Sequence, residues 1–210
     1  MPRNARQSFE NEHPAGRALA PLADRSRGDA ESSSDRGGAA GLFDSALKVH
    51  IKTAIYLMIG TAARVGAVLE LTWDRVNFDR GTINLRTSEL GPRKGRAIVP
   101  MNSELRAVLQ TAKAAALTEH VIEWAGEPVA SIKTGFNAAV KAAGLEGVTP
   151  HVLRHTAAVH MVEGGVPMAE VAQYLGHSNE ALTFRVYGRY SPTHLRKAAD
   201  VLSFSRLRAV

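Results

Sequence analysis

The segment of the chain best suited to chemistry is His151-Val-Leu-Arg154-His155-Thr156. His151 and Arg154 are three residues apart, so on a helix their side chains share one face. A guanidinium offers paired donors to phosphate oxygens, and an imidazole exchanges a proton near neutral pH. Together they suit a phosphate diester. Taken alone, such a pair is more often an ordinary feature of a helix surface. His151 and His155 also stand at the i, i+4 spacing of a metal pair. The glutamate of a zinc-hydrolase motif is missing there and Arg154 repels a cation, which argues against metal.

Two further phrases carry reactive groups. In Gln173-Tyr-Leu-Gly176-His177-Ser-Asn179 the glycine is placed to end a helix, leaving His177 on the turn where it can point into a cleft. In Val186-Tyr187-Gly-Arg189-Tyr190 two phenols stand close together. A tyrosine on an amphipathic helix usually serves packing, and nothing in the phrase alone says otherwise.

The elements that must position these groups are legible from periodicity and turn signals. Leu47, Ile51, Ile55 and Met58 recur at helical spacing behind Asp44 or Ser45 as cap, and a second helical stretch runs from Arg64 to Trp73. Asp79-Arg-Gly81 signals a turn before a strand at 82–85; Gly91-Pro-Arg-Lys-Gly95 signals another before a strand at 97–100, giving a small antiparallel hairpin. Ser103 and Ser131 serve as caps for helices over 103–117 and 131–143. Pro150 opens a helix that Gly164-Gly165 stops, and shorter helices follow over 167–176 and 179–189, with a last one over 191–204. The expected fold class is mainly α with a small antiparallel β-sheet (α+β).

Residues 1–40 read as a disordered tail and 41–210 as the folded domain. Apart from Met1, the tail's only large apolar residues are Phe9, Leu19 and Leu22, too few to offset the entropy of ordering it. Its arginines and acids cancel, so the whole net charge of +6 belongs to the folded part. A basic domain is compatible with a polyanionic partner without requiring one. The chain contains no cysteine, which excludes disulfides and thiolate metal sites and fits a cytoplasmic location. The sequence has no apolar run of membrane-spanning length and no secretory-type start.

It is the order of the phrases that is specific. Thr61-Ala-Ala-Arg64-Val-Gly, a basic hairpin, His151-Val-Leu-Arg154-His155-Thr156, Leu175-Gly176-His177-Ser178 and Arg185-Val-Tyr187 follow one another as in the tyrosine recombinase (phage integrase) family, which the chain resembles over about residues 44–205. The resemblance implies the family's catalytic domain and its chemistry, site-specific cleavage and rejoining of DNA through a 3′-phosphotyrosyl intermediate. On that basis Tyr187 is the expected nucleophile, and Arg64 and Arg154 grip the non-bridging phosphate oxygens. His177 is the third phosphate contact, His151 moves the tyrosine's proton, and Lys94 protonates the leaving 5′-oxygen. Lys94 shares its turn with Arg93 and Arg96, but an arginine does not release a proton near neutral pH. Tyr190 is the rival nucleophile, and Tyr187 fits the family's Arg-Val-Tyr phrase better.

The resemblance further implies double-stranded DNA as partner, no cofactor or metal, and a homotetramer on DNA that is weakly associated or monomeric without it. In the family a C-terminal segment is exchanged between neighbours; residues 191–210 fit that role or a helix docked on its own core. Two departures stand out. Ala67 occupies the position, three after the first arginine, where the family commonly has an acid to orient the guanidinium. Residues 1–40 do not resemble the helical core-binding domain that normally precedes the catalytic one, so a catalytic domain alone is expected. Together these raise an alternative, a truncated or decayed relative that binds DNA with little recombination. A type IB topoisomerase fits the Leu-Gly-His phrase and the hairpin-to-helix order less well.

Overall fold

The structure, a computed structural model, describes residues 48–86 and 97–192, together with Arg196. The tail at 1–40, the turn at 91–95 with Lys94, and almost all of the expected helix over 191–204 lie outside the described residues.

The described fold is mainly helical with small antiparallel sheets, as the periodicity implies. Helix α1 (Val49–Thr61) is its axis: Ile51, Ala54, Ile55, Leu57 and Met58 are all buried. A helix buried this broadly has apolar residues around most of its circumference, which fits its sequence of Ile, Ala, Leu and Met. It packs on α3 (Ser103–Ala114) and α5 (Pro150–Glu163). Its approach to α4 (Lys133–Ala142) is close enough that a Cβ on Gly135 would meet Ile51 Cδ1 at 2.5 Å, so a larger residue there would force the Ile51 side chain to move.

The sheet is larger than the expected hairpin. Strands β1 (Val76–Asn77), β2 (Thr82–Asn84) and β3 (Ile98–Pro100) pair antiparallel in that order, with Val76 opposite Ile83 and Ile83 opposite Val99 on the core face. The stretch expected as one helix from Arg64 to Trp73 is instead a short α2 (Val65–Leu69) and a 3-10 turn at Trp73–Arg75. Between them the backbone leaves the helix to pair with the 119–121 loop: Trp73 donates to Glu119 O at 2.8 Å, and Val121 donates to Leu71 O at 2.9 Å. A second hairpin, β4 (Glu123–Trp124) with β5 (Glu127–Pro128), has no alternating apolar pattern to announce it.

The caps differ from those expected: Lys48 precedes α1 in place of Asp44 or Ser45, and Ile132 rather than Ser131 precedes α4. Asn102, not Ser103, caps α3 by accepting from Leu105 N, and Thr149 caps α5 by accepting from Val152 N. Pro150 then occupies the first helical position, where a missing N–H is no loss. Helix α6 (Met168–Leu175) ends on Gly176 at φ +67°, and α7 (Glu180–Tyr187) begins from an Asn179 cap and runs into a 3-10 turn, Gly188–Tyr190.

Two cores result. The large one joins α1, the sheet, α3 and α4; the smaller one gathers Ala62, Ala158, Val162, Val171, Leu175 and Tyr187. The second matters most for function, because it seats the end of α1, the middle of α5, α6 and the last residue of α7 against one another.

Candidate active site

Arg154 lies at the centre of this junction. Only 3 % of its surface is exposed, and its neighbours along α5, Leu153 and Ala158, are apolar. Burying a cation this deeply demands compensating hydrogen bonds. Nη1 donates to Ala62 O at 2.6 Å, Nη2 donates to Leu175 O at 2.9 Å, and Nη2 also faces His177 Nε2 at 3.2 Å. The guanidinium thereby links the ends of α1 and α6 to α5. Among the described residues these contacts engage three of its five N–H donors. Burial, with help from the neighbouring Arg64, lowers its pKa to about 10, an effect that Tyr187 partly opposes. It remains a cation at neutral pH, and a desolvated one, which favours an anion beside it.

Arg64 approaches from the turn between α1 and α2, where it is the exposed residue at the N-terminus of α2. That turn is unusual, because Ala62 adopts φ 50° and ψ 26° at the end of α1, a left-handed conformation that L-residues other than glycine rarely enter. The conformation ends the helix, directs the Ala62 carbonyl at Arg154 and leads the chain round to Arg64. Ala67, three residues on, is buried.

His177 follows the Gly176 cap, on the turn expected for it. Burial lowers its pKa, and Arg154 and Arg64 lower it further, so the neutral imidazole predominates near neutral pH. Its Nδ1 lies 2.8 Å from the hydroxyl of Thr183. His151 is exposed on the first turn of α5, one helical turn before Arg154 on the same side of the helix.

Tyr187 ends α7 with 7 % of its surface exposed, its ring set in the smaller core. Burial raises its pKa, the positive charges of Arg154 and Arg64 pull it down, Tyr190 pushes it up, and the net direction is upward. The His155 ring stands 5.1 Å from that of Tyr187 and 6.5 Å from that of Tyr190. Tyr190 itself is half-buried, with Arg189 donating to its hydroxyl at 3.1 Å.

Of the residues singled out from sequence, the structure therefore gathers Arg64, Arg154, His177 and Tyr187 into one electrostatic neighbourhood, with His151 at its edge on α5. Lys94 lies outside the described residues. Three contributors were not legible as such. His155, legible only as half of an i, i+4 histidine pair, packs near the rings of both Tyr187 and Tyr190. Thr183 gave no signal, because its relation to His177 crosses a helix cap. Tyr174, whose hydroxyl donates to Gly60 O at 2.7 Å and so ties α6 to the end of α1, carries no signal of that bond in its phrase.

The sequence profile of the Phage integrase family matches residues 39–194. Tyrosine recombinase XerA of Thermococcus kodakarensis is 31% identical over 153 residues, an alignment covering 70% of this chain and 53% of that protein. The chain thus spans about half the length of this curated relative. The catalytic domain of bacteriophage HP1 integrase superposes with a TM-score of 0.57 at 23% identity, covering 84% of this chain and 98% of that one. The Tn1549 transposon integrase, solved in complex with a circular intermediate DNA, superposes with a TM-score of 0.63 at 19% identity, covering 88% of this chain and 70% of that one. At these identities the structural likeness concerns the fold. The matched profile, which takes in every described residue of the site, identifies the chain as a member of the phage integrase family of tyrosine recombinases.

Proposed function

We propose that residues 41–210 form a site-specific DNA recombinase catalytic domain that cleaves and rejoins double-stranded DNA through a 3′-phosphotyrosyl intermediate. The observation that carries this reading is the anchored, desolvated Arg154 beside the phenol of Tyr187. Tyr187 Oη attacks the scissile phosphorus, the P–O5′ bond breaks, and the 5′-oxygen leaves as a hydroxyl. A second 5′-hydroxyl then attacks the phosphotyrosine and releases Tyr187, so the bond count is unchanged and no nucleotide is consumed.

Each side chain has a task that its chemistry allows. The raised pKa of Tyr187 makes a proton acceptor necessary, and His151 is assigned that role. Arg154 and Arg64 neutralise the non-bridging oxygens as charge builds in the transition state, and His177 adds a third contact. Lys94 is assigned as the acid for the 5′-oxygen. On DNA the chain is expected to act as a homotetramer, and to be monomeric or weakly associated without it. No helix among the described residues is long and apolar enough to cross a membrane, and a cytoplasmic site of action fits a DNA substrate.

A second reading has one observation in its favour. Ala67 is buried where a carboxylate would orient Arg64, so the site could bind a phosphodiester yet turn it over slowly. Nicked duplexes that lose a short 5′ fragment after cleavage, and so trap the covalent adduct, separate the two. Drawn as a pool from DNA flanking the chain's own gene, they are expected to give a protease-sensitive adduct. Retained DNA binding with no adduct across the pool supports the binding-only reading.

A further inference from the structure

His177 stands between two partners of different character. Arg154 Nη2, 3.2 Å from Nε2, belongs to a group that only donates, so a hydrogen bond there requires a lone pair on Nε2. A neutral imidazole with a bare Nε2 carries its one proton on Nδ1. Nδ1 faces the Thr183 hydroxyl at 2.8 Å, which accepts it. Thr183 is fully buried on α7, four residues before Tyr187 and therefore on the same face of that helix. The charged groups acting on His177 are Arg154 from α5 and Arg64 from the α1–α2 turn; both are cations and both oppose a second proton.

We infer that Thr183 is a positioning residue that holds His177 as the Nδ1–H tautomer, with Nε2 braced on Arg154, and so couples the phosphate-gripping pair to the helix that carries Tyr187. The catalytic consequence rests on the phosphotyrosyl reading above; the tautomer does not. Phosphodiester oxygens only accept, so His177 contacts one only after a proton reaches Nε2. The bond from Nδ1–H to Thr183 survives that change and keeps the ring in place.

The test is a long-range 1H–15N correlation spectrum of the histidine rings in the DNA-free 210-residue chain at pH 7.5, with His177 assigned through His177→Gln. The expected pattern is a protonated Nδ1 and a bare Nε2, lost in Thr183→Val and kept in Thr183→Ser. Adduct formation on the nicked duplexes should fall about tenfold or more in the valine variant, while serine stays within about threefold of wild type. An Nε2–H tautomer in the wild type, or an unchanged pattern in a folded Thr183→Val, overturns the proposal. If the valine variant does not fold, the wild-type and serine spectra still decide it. A wild type with the expected tautomer but no adduct on any duplex overturns the phosphotyrosyl reading and leaves the assignment of Thr183 standing.

Discussion

Arg154 donates from Nη1 to the carbonyl of Ala62 at 2.6 Å across a separation of 92 residues, and Ala62 presents that carbonyl from a left-handed conformation at φ 50°. Backbone strain at the end of one helix thus positions a cation on another. An L-residue held left-handed costs about 1–2 kcal/mol, while the buried Ala62 methyl contributes about 0.8 kcal/mol by leaving water.

Those two terms oppose each other in Ala62→Gly, which is expected to keep stability within about 1 kcal/mol of wild type, on the favourable side. Ala62→Val adds a β-branch where φ is positive and is expected to lose about 2 kcal/mol or more. Urea unfolding midpoints of the two variants check this. A glycine variant clearly less stable than wild type would contradict the strain at Ala62.

Arg154→Lys tests the anchoring separately from the charge. One ammonium cannot span Ala62 O, Leu175 O and His177 in the geometry of a planar guanidinium. The expected loss is about 2–4 kcal/mol of stability, with DNA adduct formation down by roughly 100-fold or more. A lysine variant of wild-type stability would mean that these bonds do not hold the junction together.

The fold and site were legible in unequal measure. Helix α1 follows from Ile51, Ile55 and Met58 at helical spacing, and α5 from the Pro150 and Gly164 boundaries. The stretch 64–73 misled because Val68, Leu69 and Leu71 keep apolar character while the backbone turns away to pair with residues 119–121. Hairpin β4–β5 was missed because its strands are two residues each, too short to show alternation. At the site, order and residue type pointed to Arg64, Arg154, His177 and Tyr187. The sequence could not reveal that Arg154 is buried and carbonyl-bound, since those acceptors are backbone atoms and backbone atoms leave no mark on residue identity.

The state of His177 predicts how stability varies with pH. Its folded pKa lies below the ordinary value of 6.5, so the unfolded chain takes up a proton more readily. The stabilisation is complete above about pH 6.5 and falls away as pH drops through the lowered folded value. His177 is partly open to solvent, so the slope should stay well under the one-proton ceiling of about 1.4 kcal/mol per pH unit. His50, lowered by burial and then by Lys48, adds to the same trend. Chemical unfolding between pH 5 and 8 should show His177→Gln with a shallower acid decline than wild type; an unchanged decline excludes His177 as a contributor.

Glu123 offers a control away from the site. Its carboxylate accepts from Leu117 N at 2.7 Å, from Thr118 N at 2.6 Å and from the Thr118 hydroxyl, clamping the loop that pairs with Leu71 and Trp73. Burial alone would raise its pKa, but these bonds outweigh it and the net direction is downward. Glu123→Gln is expected to loosen the loop, seen as faster amide exchange at Leu117 and Thr118. Adduct formation should remain within about twofold, because the loop makes none of the bonds that hold Arg154.

The proposed phosphotyrosyl chemistry requires Tyr187 as the nucleophile. The direct measurement is peptide mapping by mass spectrometry of the trapped DNA adduct, with Tyr187→Phe and Tyr190→Phe run alongside. The expected result is a nucleotide-bearing peptide modified at Tyr187, an adduct lost in Tyr187→Phe, and an adduct retained in Tyr190→Phe. Modification at Tyr190, or an adduct that persists in Tyr187→Phe, contradicts it.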